Sequence, residues 1–254
     1  MRIKGQKPIK KVPIQKRNTI APMNCWDFLD KVYCISLEHR TDRRQQSKIE
    51  FRKVGLLERV EYVQTQSHAH NSEEGIFESH MRCIKKGLAA NARRIAIFED
   101  DVLFDGFDPS RVLESLHFVD RLDDWDMLFL GCLVSRSRPT ASSGVRQVRY
   151  RSLSHAYILN RPVAEKMAKI QWCGKPFDAI LQSFARHPYA LYPSIAFQSS
   201  ASSDNRRLKG LDRVRRLCGG LRFIQKMNER CHRYSKAILL AHLLAAMALA
   251  GWLL

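Results

Sequence analysis

"RRIAIFEDDVLF", residues 93–104, decides how this chain is read. The apolar run from Ile95 to Phe98 has the length and content of a buried strand, and it stops on Glu99, Asp100 and Asp101. Three adjacent carboxylates repel one another, so the cluster calls for open water or a cation. Side chains alternate along an extended chain. Alternation would turn Glu99 and Asp101 to one side and Asp100 to the other. Two carboxylates converging from one side suit a hard divalent ion, with room left for water and phosphate oxygens. The competing reading is a solvated turn after a strand, where acids are common.

Strand-like and helix-like runs alternate on both sides of this stretch. "KVYCISL" (31–37), "RVEYVQ" (59–64), "RIAIFE" (94–99), "DMLFLG" (126–131), "GVRQVRY" (144–150), "HAYIL" (155–159) and "YALYP" (189–193) read as strands. A helix follows the first strand, with Thr41 or Asp42 as its cap and Gly55 as its end. Residues 75–92 read as a second helix, Pro109 opens a third that runs to about Arg121, and Pro162 and Pro176 open two more. The alternation over residues 30–195 predicts an α/β domain with a mostly parallel sheet. Ligands of such sheets bind beyond the C-terminal ends of the strands, which is where the three acids fall.

The net charge of +18 is unevenly spread. Residues 1–26 carry seven Lys/Arg and no acid, and residues 205–236 carry eleven against Asp212 and Glu229. The span 27–204 is nearly neutral, with 25 basic and 23 acidic residues. Four segments follow: a basic leader (1–26), a folded domain (27–204), a basic linker or helix (205–236) and an uncharged run, "AILLAHLLAAMALAGWLL" (237–254). As a helix that run would reach roughly 27 Å, close to the hydrocarbon thickness of a bilayer. Lys226, Arg230, Arg233 and Lys236 precede it, the arrangement favoured on a cytoplasmic membrane face. The alternative is a buried or dimer-forming C-terminal helix. Seven cysteines with no Cys-x-x-Cys pair argue against a disulfide framework and favour a reducing compartment. The N-terminus lacks the apolar core of a secretory signal.

Other residues carry candidate chemistry. Arg40, Arg43 and Arg44 in "SLEHRTDRR" lie where the first strand hands over to a helix, and guanidinium groups there suit phosphate. His155 heads an apolar strand. Asp178 falls in the first turn of a helix, a stabilising place for any acid. His68 and His70 form a weak His-x-His pair.

In order along the chain, "ISLEHRTDRR", Gly75 with Ser79 and His80, "IAIFEDDVLF", His155-Ala156-Tyr157 and Pro176-Phe177-Asp178 resemble the motifs of glycosyltransferase family 25, which includes lipooligosaccharide and collagen galactosyltransferases. The resemblance covers about residues 31–200. Ser36 and His39 stand where the first motif usually has Asn and Arg. It implies a GT-A-like, Rossmann-like nucleotide-sugar domain and an inverting transfer of galactose from a UDP-sugar. The acceptor would be a glycan, such as a lipid-linked lipooligosaccharide. It implies Mn²⁺ held by Asp101 and Glu99, with Asp100 at the sugar or acceptor. Arg40, Arg43, Ser36, Ser79, His80, His155 and Tyr157 would serve the donor. Inversion needs a base, for which Asp178 is the candidate and Asp126 the alternative. The two flanks would hold such an enzyme on an anionic membrane surface, and no nucleic acid partner is expected. Two other readings remain: a membrane-surface protein with a degenerate transferase domain, and a metal-dependent nuclease. The nuclease reading is weakened because "VLFDGFDP" after the acids has no Lys.

Overall fold

The computed structural model describes residues 24–199, 219–235, 237–242, 244 and 247. Its centre is β3 (Arg94–Glu99), whose residues Ile95 to Phe98 are fully buried, as a strand covered on both faces requires. On one side lie β1 (Lys31–Leu37) and then β2 (Val60–Thr65), both parallel to β3. On the other side β8 (Ala156–Asn160) runs against it. Beyond β8 come β5 (Met127–Phe129) and, parallel to it, β9 (Pro188–Leu191). The far edge is the antiparallel pair β7 (Val145–Ser152) and β6 (Leu133–Pro139). The sheet order is β2-β1-β3-β8-β5-β9-β7-β6. Six of these eight strands share one direction, and only β7 and β8 oppose it. The expected α/β, mostly parallel architecture is therefore present.

Helices cover both faces. α1 (Thr41–Lys53) and α3 (Pro109–Asp120) pack on one side, where Phe51, Val112 and Leu116 meet Phe98 and Ile158 in one apolar cluster. α2 (Ser72–Ala89), α4 (Arg161–Met167) and α5 (Phe177–Phe184) pack on the other, bringing Phe77, Ile84, Val163 and Ile180 onto Ile95 and Ile97. Capping explains several starts. The Asn71 side chain accepts from the Glu73 N–H and begins α2 at Ser72, three residues before the expected Gly75. Asp108 accepts from the Ser110 and Arg111 N–H groups ahead of Pro109. Neither Thr41 nor Asp42 caps α1. Its cap position is Arg40, and Asp42 is paired with that guanidinium. Gly55 follows the helix at φ +69, the left-handed conformation expected of it.

Residues 24–28 pack on the domain. Cys25–Phe28 form a 3₁₀ turn capped by Asn24, and Trp26 is fully buried with its indole N–H on the Val54 carbonyl at 2.7 Å. At the other end, α6 (Gly220–Arg233) docks on the sheet. Asn228 donates to the Val134 carbonyl and accepts from its N–H, and Gln225 donates to Ala196. Two short strands, β4 (Val102–Phe104) and β10 (Ala196–Gln198), pair antiparallel beside it. Gly131 makes this approach possible, because a Cβ there would stand 1.8 Å from the Ala196 carbonyl oxygen. Gly131→Ala should cost about 1–3 kcal/mol of stability, the usual cost of overpacking, and lower the denaturation midpoint accordingly. An unchanged midpoint would show that α6 and β10 are less tightly placed.

The leader and the apolar run at 237–254 fall mostly outside the described residues. Where described, residues 237–242, 244 and 247 are helical, with Leu239, Leu240, Leu244 and Met247 exposed. Among the described residues no helix is long and apolar enough to cross a membrane.

Candidate active site

A cavity of about 700 Å³ opens at the C-terminal ends of β1 and β3. Ser36 and Leu37 from the end of β1, Arg43 from α1, Ser79 and His80 from α2, and all three acids line it. The loop after β2, from Gln66 to Asn71, forms much of the remaining wall, with Gly75 and Ile76 of α2 and Gln198 of the late chain.

The acids do not alternate as the strand rule predicted. β3 ends at Glu99, and Asp100 and Asp101 form a turn. All three therefore reach the same cavity, which corrects the expectation that Asp100 faces away. Asp100 accepts from the Ser36 hydroxyl at 2.6 Å and from Arg43 at 3.3 Å. Asp101 lies 3.6 Å from the same Arg43 nitrogen and accepts from Gln198 at 3.0 Å. Gln198 comes from β10, so pairing of β4 with β10 is what delivers it. Glu99 accepts from Ser154 at 3.3 Å and faces His80 Nε2 at 3.7 Å.

Burial dominates the electrostatics. It pushes the Glu99 carboxyl up to about 7, with the charges of Asp178 and Asp100 adding to the effect. It pushes Asp101 up to about 7 as well, aided by Glu99 and opposed by Arg43 and Gln198. Burial also lowers His80 to about 3, so its ring is neutral. The Tyr157 hydroxyl contacts His80 Nδ1 at 2.9 Å, and Phe177 stacks on the ring at 4.0 Å. With Tyr157 as donor, the Nε2–H is left facing Glu99.

The other candidates divide by position. Tyr157 is fully buried behind His80 and does not line the cavity. His155 is also buried behind the acids, its carbonyl accepting the Glu99 N–H at 2.9 Å. Burial lowers the His155 ring to about 4, opposed in part by the Ala196 backbone beside it. Asp178 accepts from the Tyr150 hydroxyl at 2.5 Å and from the Leu153 N–H at 3.2 Å. Leu153 has φ 78, an uncommon conformation for a non-glycine residue, directly before Ser154 and His155. Asp178, like Arg40, is not among the lining residues; it pins the segment that presses Ser154 onto Glu99. Arg40 holds Asp42. Asp126 must be corrected. It precedes β5 at the opposite end of the sheet, level with Asn160 and Arg94, and its carboxylate accepts from the Arg186 and His187 N–H groups. It is a structural acceptor, remote from the acids.

The acids suit a divalent cation by one local observation. Asp101 Oδ1 is buried without a hydrogen-bond partner among the described residues, an acceptor that a cation would satisfy. Among the described residues, the His/Cys/Asp/Glu group whose ligand atoms already lie within 4.8 Å of one another is a different one, His68, Glu74 and Glu78. It is poorly set for metal. His68 Nδ1 accepts from the Asn71 N–H at 3.0 Å, so Nε2 carries the proton and has no lone pair to give.

Sequence reading missed Gln198, Ser154 and Tyr150. Ser154 adjoins a quoted motif. Gln198 is 97 residues from its partner, and nothing local marks it.

A scan against protein-family models finds no match. The procollagen galactosyltransferase 1-A of Xenopus laevis is 27% identical, over 65% of this chain and 33% of the relative. The chain spans about a third of the length of the curated relatives it matches. Among solved structures, A197 from STIV superposes with a TM-score of 0.46 at 16% identity, over 66% of this chain and 85% of that one. A glycosyltransferase involved in glycosylation of the major capsid of PBCV-1 superposes with a TM-score of 0.40 at 8% identity, over 74% and 99%. In sequence, the chain is similar to glycosyltransferases.

Proposed function

We propose that the chain is an inverting glycosyltransferase of the GT-A type and of family 25. It moves a sugar, galactose before others, from a UDP-sugar to a glycan acceptor. The observation that carries this is the convergence of Glu99, Asp100 and Asp101 on one cavity, with a buried oxygen of Asp101 unsatisfied. Asp101 and Glu99 would hold Mn²⁺, which when bound neutralises the diphosphate charge that grows as the glycosidic bond breaks. The protein's own groups do the rest. Arg43 and Ser36 fix Asp100 and leave a guanidinium beside the donor phosphates. His80 and Ser154 hold Glu99 in place. Asp178 is the proposed base, held by Tyr150 and Leu153. A lipid-linked acceptor, such as lipooligosaccharide, would be met on an anionic cytoplasmic membrane face by the basic flanks and the run at 237–254.

The test is a screen of UDP-sugars with Mn²⁺ and with EDTA. Transfer or slow hydrolysis of UDP-galactose that stops in EDTA supports the reading, and full activity in EDTA removes the metal. Asp178→Ala should lower turnover by about a hundredfold or more while UDP binding persists. Intact turnover would take the base role from Asp178.

A further inference from the structure

The far edge of the sheet holds a second, oppositely charged concavity. Arg136 and Arg138 on β6, Arg149 on β7 and Arg186 ahead of β9 line one cavity of about 230 Å³ that has no carboxylate in its wall. Strand register sets Arg136 directly opposite Arg149. Like charges placed opposite each other across an antiparallel pair are destabilising. Among the described residues none of these four guanidinium groups has an ion pair or hydrogen bond, whereas Arg59, Arg94, Arg161 and Arg222 each meet a carboxylate. The acids close to these arginines along the chain are engaged elsewhere: Asp178 accepts from the Tyr150 hydroxyl and the Leu153 N–H, and Glu165 pairs with Arg161. Asp126 accepts from the backbone N–H groups of Arg186 and His187, and Asp124 pairs with the His187 ring at 2.6 Å. A charged edge strand also discourages edge-to-edge pairing. That purpose does not require four arginines from three parts of the chain to converge on one hollow. A neighbouring cavity of about 310 Å³ shares Arg149 and Ala185 and continues along Gln182 and Ser183.

We infer that this edge is an oxyanion site for a phosphate-bearing ligand. The phosphate sits among Arg136, Arg138, Arg149 and Arg186, and the rest of the ligand extends along the adjoining cavity. Planar guanidinium groups pair with phosphate oxygens two bonds at a time, and a phosphate supplies the negative charge that the Arg136–Arg149 pair lacks. The site is distinct from the acid-lined cavity. Pro188 opens β9 level with Met127, at the end of the sheet opposite Glu99. It does not depend on the transferase reading.

The phosphate could come from a soluble compound or from a lipid headgroup, and the test separates them. Inorganic pyrophosphate is titrated into the full chain in EDTA by calorimetry. In parallel, the chain is sedimented with vesicles of phosphatidylcholine, with and without phosphatidylglycerol. The inference predicts that wild type binds at least one of these probes. Arg136→Gln/Arg149→Gln should weaken that binding at least about tenfold, in line with loss of two charge-assisted contacts, and leave UDP-sugar turnover unchanged. Weakened pyrophosphate binding alone assigns a soluble phosphate, and weakened sedimentation with phosphatidylglycerol assigns a headgroup. Because the substitution relieves repulsion between exposed side chains, the variant's melting temperature should hold or rise. Should it fall, Arg138→Gln/Arg186→Gln provides the same comparison without touching the cross-strand pair. Equal binding of both probes by wild type and variants, or none by wild type, overturns the inference.

Discussion

Asp101→Asn is expected to cut sugar transfer by at least about a hundredfold, the scale of losing a group that stabilises transition-state charge. The same change is expected to make the metal-free protein more stable. Asp101 is buried, its carboxyl is pushed up to about 7, and Oδ1 has no partner among the described residues. An unfolded Asp titrates near 3.9. A group whose folded value is raised contributes stability below its unfolded value and loses that contribution as pH rises through the folded one. Asp101 therefore weakens the metal-free fold progressively from about pH 4 to above about pH 7. Asparagine has no proton to lose, so the variant's advantage over wild type should grow across that window and level off above it. Its size is on the order of a few kcal/mol, because Arg43 already offsets part of the charge. His80 and His155 act oppositely, since their lowered values cost stability as pH falls. Taking the difference between variant and wild type cancels them, and relief of the Glu99–Asp101 repulsion adds to the variant's advantage in the same direction. Denaturation in EDTA at pH 5 and pH 8 checks this. A variant that loses both activity and stability would mean that Asp101 is a structural acceptor only.

The largest stability loss is expected from Trp26→Ala, about 3–5 kcal/mol on the scale of large-to-small core changes. The side chain is fully buried, stacks on Phe107 at 5.7 Å between ring centres, and donates its indole N–H to the carbonyl that follows α1. Removing it opens a cavity between the first 3₁₀ turn, α1 and the loop before α3, and leaves the Val54 carbonyl unpaired. Trp26→Phe keeps most of the volume and should lose about 1–3 kcal/mol through that carbonyl. If both variants unfold at the wild-type denaturant concentration, Trp26 does not anchor residues 24–28 to the domain.

The sheet's central strands were legible because burial on both faces leaves a continuous apolar run, as at Ile95 to Phe98. β6 was not legible. Its Ser and Arg residues read as polar loop, which is what an exposed edge strand looks like without its partner. β4 and β10 are three residues each, too short for any period to register. The opposed directions of β7 and β8 were hidden as well, because strand sense comes from connections in space.

The acids were found from spacing, but their aim was not. It depends on a turn at Asp100–Asp101 and on partners at Ser36 and Gln198, 64 and 97 residues away. Asp126 shows the converse. It lies beside a buried strand in sequence, yet at the start of that strand rather than its end, on the side of the sheet away from where such folds bind ligands.

Calorimetry of UDP binding to the purified protein, with Mn²⁺ and with EDTA, for wild type and Asp101→Asn tests the role of the three acids directly. Wild type with Mn²⁺ should give heat of binding that is lost both in EDTA and in the variant. Binding of equal strength in all conditions, or no heat in any of them, would contradict a metal-held nucleotide at the three acids.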